Sequence, residues 1–86
     1  MFNITTSHTV KKKLKPIICQ AFLRYRMRQE LSQEQFAKTL GITVRSYIDL
    51  EHGDAFPSAT TFIVFILHLE QHEYILLFAK MRAALQ

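Results

Sequence analysis

Between Ser32 and Gly53 the chain reads SQEQFAKTLGITVRSYIDLEHG, and the order of its polar, apolar and glycine positions describes two short helices joined by a tight turn. Ser32 can accept a hydrogen bond from the amides that open a helix. Gln35, three residues on, can return one to the Ser32 backbone, the reciprocal arrangement of a capping box. Phe36, Ala37 and Leu40 then share a buried face, leaving Gln33, Glu34 and Lys38 toward water. Gly41 follows where the chain must turn with positive φ, which costs little without a Cβ. Thr43 can cap the second helix. On a wheel of about 100° per residue that helix directs Tyr47, Leu50 and Glu51 inward and Val44, Arg45, Ile48 and Asp49 outward. Ala37 is small where two helices meeting across a short turn must approach closely.

The remaining sequence sets the frame. At 86 residues and 49% hydrophobic, the chain has material for one compact core. Its expected fold class is all-α, with five helices. A basic N-terminal arm occupies 1–15, and a single helical domain occupies 16–86. The first helix is expected from near Pro16, which a first turn tolerates, to Glu30. A loop over Asp54 to Pro57 and a Ser58 cap precede a fourth helix to about Leu69. A fifth covers Glu70 to Leu85. Cys19, the single cysteine, can form no internal disulfide and reads as a buried helix residue. The N-terminus lacks the apolar stretch of an export signal, and the apolar run Phe62 to Leu67 is far too short to cross a bilayer. A soluble cytoplasmic protein, with no membrane partner, is the expectation.

The central segment resembles the Cro/C1-type, phage-repressor-like helix-turn-helix family. The resemblance rests on Leu31, Ser32, Gln33, Glu34, Phe36, Ala37, Leu40, Gly41, Ile42, Thr43, Tyr47, Leu50, Glu51 and Gly53. With Arg26 upstream and Pro57-Ser58 downstream it extends over roughly residues 17 to 69. It implies double-stranded DNA as partner and a second helix that enters the major groove. By the same resemblance, Gln33 contacts phosphate at the amino end of its helix, and Val44 and Arg45 reach base edges. Arg45 can pair bidentately with guanine and Val44 can pack on a thymine methyl. Thr43 and Ser46 flank that face as candidates for phosphate oxygens, with plain capping and solvation as the alternative. Ile48 and Asp49 complete the candidate DNA-binding set but depart from the family habit of polar or basic residues there. Asp49 can accept from cytosine N4, or orient Arg45 through an i,i+4 pair.

The resemblance also pairs Arg26 of the first helix with Glu51, as a clamp on the second helix of the motif. Tyr47 stands where the family usually has Ile or Val, so its hydroxyl needs a partner. Charge is uneven. Lys11, Lys12, Lys13, Lys15, Arg24, Arg26 and Arg28 face Glu30 alone up to Leu31, while acids outnumber bases afterwards. The lysines read either as an arm on the phosphate backbone or as a solvated tail.

The C-terminal third is apolar beyond what one small core can bury. TFIVFILHL is apolar nearly all round, and Tyr74, Ile75, Leu76, Leu77, Phe78, Met81 and Leu85 follow. A homodimer through Val64, Leu67, Ile75 and Phe78 is expected, its two reading helices ~34 Å apart on an inverted repeat. The alternative is a fifth helix folded back as an enlarged monomer core. No catalytic residues, cofactor or metal are expected. His68 and His72 are spaced for two ligands only if one helix carries both, and the run HLEQH reads better as a helix boundary. The overall expectation is a dimeric, sequence-specific DNA-binding regulator rather than an enzyme. Its alternative is an interaction module, antitoxin-like, that sequesters a partner such as a toxin through its apolar C-terminal helices.

Overall fold

The computed structural model describes residues 7–86. It contains α1 (Ser7–Arg28), α2 (Gln33–Leu40), α3 (Val44–His52), α4 (Ala59–His68) and α5 (Gln71–Leu85), and no strand among the described residues. The starts of α2, α3 and α4 and the ends of α2 and α3 have local causes. The Ser32 hydroxyl accepts from the Gln35 amide at 3.0 Å, and the Gln35 side chain accepts from the Ser32 amide at 2.8 Å, closing the capping box. Thr43 and Ser58 cap α3 and α4 in the same way through the amides of Ser46 and Thr61. Gly41 and Gly53 end α2 and α3 with φ of 74° and 79°. The bonds Ile42 N–H to Ala37 carbonyl and Asp54 N–H to Asp49 carbonyl close a Schellman turn at each.

The N-terminal helix differs from the sequence expectation. The lysines do not lie on an arm ending near residue 15: α1 is already helical from Ser7 and carries Pro16 in its interior. Residues 1–6 of the expected arm fall outside the described residues. Proline removes one helical hydrogen bond, that to the Lys12 carbonyl, at a cost of roughly 3 kcal/mol. The helix continues because Val10, Leu14 and Ile17, at i, i+4 and i+7, extend the apolar stripe, with Leu14 and Ile17 packed on the core. Cys19 is half-buried rather than buried, its thiol 3.4 Å from the Pro16 carbonyl oxygen.

Four aromatic side chains fill the centre: Phe22 of α1, Phe36 of α2, Tyr47 of α3 and Phe65 of α4, each fully buried. Phe22 stacks on Phe65 with ring centroids 4.3 Å apart, and Phe36 meets Tyr47 edge to face at 5.2 Å. One ring from each of four helices ties those helices to a single packing solution. Ala37, 2% exposed, lies beneath the α2–α3 turn, where the two helices pack. Helix α5 packs on α1, burying Leu77 and pairing Arg28 with Glu73. The fifth helix therefore does fold back, but most of its apolar residues stay outside the core.

Helix α1 stops at Arg28 rather than Glu30, in the same Schellman pattern as α2 and α3, with Leu31 N–H bonded to the Arg26 carbonyl. Here the left-handed position is held by Glu30, φ 56°. An L-residue with a Cβ gives up on the order of 1 kcal/mol there. Glu30→Gly is expected to stabilise the fold by roughly 0.5 kcal/mol after the added chain entropy of glycine is set against that relief. It should appear as a higher urea midpoint at unchanged slope. A lower midpoint would show that the Glu30 side chain contributes more than its backbone costs.

Candidate nucleic-acid interface

The Glu51 carboxylate gathers the elements around α3. Arg26 donates from Nε to Oε2 at 2.7 Å and from Nη2 to Oε1 at 2.9 Å, a bidentate pair, and from Nη1 to the Leu31 carbonyl at 3.0 Å. The Tyr47 hydroxyl donates to Oε2 at 2.5 Å, and Gln33 Nε2 donates to Oε1 at 3.2 Å. The expected Arg26–Glu51 clamp is present. Burial pushes the Glu51 carboxyl up, but the hydrogen bonds from Arg26, Tyr47 and Gln33 outweigh it and hold the group below the usual glutamate range. Arg26 moves up, chiefly through its bond to Glu51. Burial first, and then the bond to Glu51, push the Tyr47 phenol far up.

Gln33 was expected toward water. It is instead half-buried at the amino end of α2, with one N–H of its side-chain amide bonded to Glu51. The i,i+4 spacing of Tyr47 and Glu51 could have revealed the tyrosine's partner; no local spacing announces the bond from Gln33, 18 residues away.

With the inward side of α3 anchored, the other side is left to solvent. Val44, Arg45 and Ser46 are exposed and Ile48 and Asp49 are half-buried, so the five lie around the outer half of one helix. Arg45 Nη2 lies 3.2 Å from Asp49 Oδ1, the anticipated i,i+4 pair, while its side chain stays 78% exposed. Thr43 and Ser46 are engaged in capping: Thr43 Oγ1 accepts from the Ser46 amide and donates to the Ser46 hydroxyl at 3.0 Å. Rotatable, exposed hydroxyls keep acceptor and donor capacity beyond that cap. This is a short helix held rigidly from behind and presenting a guanidinium, a carboxylate, two hydroxyls and two aliphatic groups on one surface.

A family model for the helix-turn-helix, of the Cro/C1 type, matches residues 23–66, just over half of the chain. The chain belongs to the Cro/C1-type helix-turn-helix family. That family is one of DNA-binding regulators and not of enzymes. No curated protein and no solved structure matches the chain. In this helix-turn-helix protein the matched span runs from late α1 through most of α4, so it contains the clamp and the whole outer face of α3.

Outside that span, the residues expected at a dimer interface divide. Leu67, Ile75 and Phe78 are exposed, whereas Val64 is half-buried and packed against the core. Val64 is thus first a core residue, because α4 turns that side toward the aromatic cluster. His68 ends α4 and His72 lies in α5, so no continuous helix carries both. No group of three or more His, Cys, Asp or Glu side chains suited to a metal forms among the described residues. No helix there is long and apolar enough to cross a membrane.

The clamp links stability to pH. With its folded-state pKa below the unfolded value, Glu51 contributes fully above about pH 4.3, and the contribution is lost as pH falls through the folded pKa. Its side chain is 6% exposed, so Glu51→Gln, which leaves Arg26 without its counter-charge, is expected to cost on the order of 3 kcal/mol at neutral pH. Urea unfolding of both proteins from neutral pH down to about pH 3 should show the gap closing toward acid. A gap independent of pH would assign the loss to packing rather than to the ionised pair.

Proposed function

We propose that this protein is a sequence-specific transcriptional regulator that binds an inverted-repeat operator as a homodimer, placing α3 in the major groove. The observation that carries this is the outer face of α3 in a domain of the DNA-binding family: Arg45 78% exposed, Val44 beside it, and the opposite side fixed by Glu51. Arg45 reads guanine through two parallel hydrogen bonds and Val44 contacts a thymine methyl. Asp49 keeps the guanidinium extended until a base replaces it, and accepts from cytosine where the sequence provides one. Thr43 and Ser46 turn their hydroxyls to phosphate oxygens, and Ile48 packs on the sugar edge of the groove. Gln33 spends one N–H of its side-chain amide on Glu51 and keeps the second for a phosphate oxygen at the amino end of α2.

Dimerisation follows from uncovered apolar surface. Leu67 is 78% exposed and Ile63, on the same side of α4 at i−4, is 57% exposed; Ile75, Leu76 and Phe78 add to it on α5. Apolar side chains in that number on an 86-residue protein need a cover, and a second copy supplies one isologously while setting two α3 helices on one duplex. The same exposed residues support a second reading, in which α4 and α5 hold a protein partner such as a toxin. In both readings the protein acts in the cytoplasm, and the five helices from Ser7 onward work as one unit.

Selection from a random-sequence duplex pool, with solution mass measured in the same buffer, separates the two. A two-fold symmetric site enriched by a dimer supports the regulator. Absence of any enriched sequence moves the weight to a protein partner. Arg45→Ala is expected to lower operator affinity by ~1–3 kcal/mol and to relax preference at one base position. Retained preference would remove Arg45 from base reading. Leu67→Lys with Phe78→Glu should give monomers by light scattering with unchanged helical content. An unaltered mass would place the interface elsewhere.

A further inference from the structure

The early helical start of α1 places its lysines beside the far end of α3. His8, Lys11, Lys12 and Lys15 of α1 and His52, the last residue of α3, line an open cleft of about 610 Å³, with Cys19. The two elements come close here: a Cβ on Gly53 would lie 3.7 Å from the Cys19 sulfur. Lys11 is stationed by the loop after α3, its Nζ 5.8 Å from the centre of the Phe56 ring. Among the described residues no carboxylate lines the cleft. Arg26, Arg28 and Arg45 each face an acid, but none of these lysines has an ion-pair partner among the described residues. Three ammonium groups held along one side of a helix without counter-charge repel one another, and an anion is what relieves that.

The position of the cleft says which anion. His52 follows Arg45 by seven residues, two helical turns, and so shares the outer face of α3 about 10 Å further along the axis. A major groove is ~12 Å wide. With Val44 and Arg45 at base edges, the carboxyl end of α3 comes to the rim, where phosphates run. A helix carboxyl end carries partial negative charge and repels phosphate. The lysines of α1 stand beside that end and reverse the sign of the local field.

We infer that this cleft, formed by the first turns of α1 and the end of α3, is a phosphodiester-binding site that grips the DNA backbone at the edge of the half-site. It rests on the regulator reading above and adds a sequence-independent grip from Lys11, Lys12 and Lys15 to the base reading of Arg45. The site depends on α1 being helical from Ser7, since it is the helix that sets these lysines against His52.

The test compares the wild-type protein with the triple variant Lys11→Gln, Lys12→Gln, Lys15→Gln. A second variant, Lys80→Gln with Arg82→Gln on α5, removes two positive charges outside the cleft as the control for a general loss of charge. Binding to a labelled duplex carrying the selected operator, and to a mixed-sequence duplex, is followed by fluorescence anisotropy across a salt series. Circular dichroism checks that each variant is folded. The triple variant is expected to lose about 0.9 units of the slope of log affinity against log salt for each phosphate contact removed, so roughly 2 to 3 units, on both duplexes alike. Its ratio of operator to mixed-sequence affinity should stay unchanged, and the α5 variant should keep the wild-type slope. An unaltered slope in the triple variant, or an equal loss in the α5 variant, overturns the site while leaving the regulator reading intact. Absence of salt-sensitive binding by the wild-type protein overturns both.

Discussion

The Glu51 carboxylate is the point on which the placement of α3 depends. Its two oxygens accept from Arg26 of α1, Gln33 of α2 and Tyr47 of α3, so one nearly buried anion joins three helices. Burying a carboxylate is costly, and the cost is offset only when its lone pairs are filled with good geometry. Four donated hydrogen bonds meet that condition, and the depressed pKa is their thermodynamic sign. The directional requirement matters more than the net energy. A hydrophobic contact would tolerate some rotation of α3 about its axis; a bidentate guanidinium does not. Rotation by one residue, about 100°, would replace Arg45 on the outer face by a neighbour.

Packing supplies what the clamp lacks in energy. Phe22, Phe36, Tyr47 and Phe65 are fully buried, and Tyr47 belongs to both systems, its ring in the core and its hydroxyl on Glu51. The substitution of an aromatic residue where the family usually has Ile or Val therefore adds a tether as well as volume. Helix α5 stands outside this arrangement. It reaches the rest through α1, by Leu77 and by Arg28 with Glu73, and exposes Ile75, Leu76 and Phe78. Apolar side chains that the aromatic core has no room for are the chain's clearest sign of a further partner.

What could be read from the sequence followed the range of the interaction involved. Caps and turns are local, and Ser32, Thr43, Ser58, Gly41 and Gly53 marked the helix ends because each answers a need within four residues. The Arg26–Glu51 pair, 25 residues apart, was legible through family resemblance rather than through physics alone. Three features escaped. Pro16 looked like a helix start because local propensity puts proline there, and tertiary burial of Leu14 and Ile17 outweighed it. Glu30 hid a left-handed turn that glycine normally announces. Gln33 looked solvent-facing because a helical wheel of α2 contains no information about where Glu51 sits.

The continuity of α1 through Pro16 matters more for the electrostatics than for the fold. Lysines on a tail would sample many positions, and their attraction to a polyanion would be diffuse. On a helix seated against His52 and Phe56 they project from a defined place beside the end of α3. The proposed regulator then divides its labour by position on one surface. The amino half of α3, where Arg45 is balanced by Asp49, carries little net charge and so contributes discrimination more than raw attraction. The lysines of α1, with no ion-pair partner among the described residues, would contribute attraction without discrimination. Separating the two lets the reading residues release a wrong base without first overcoming a strong non-specific pull of their own, while the backbone grip keeps the protein near the duplex during the search.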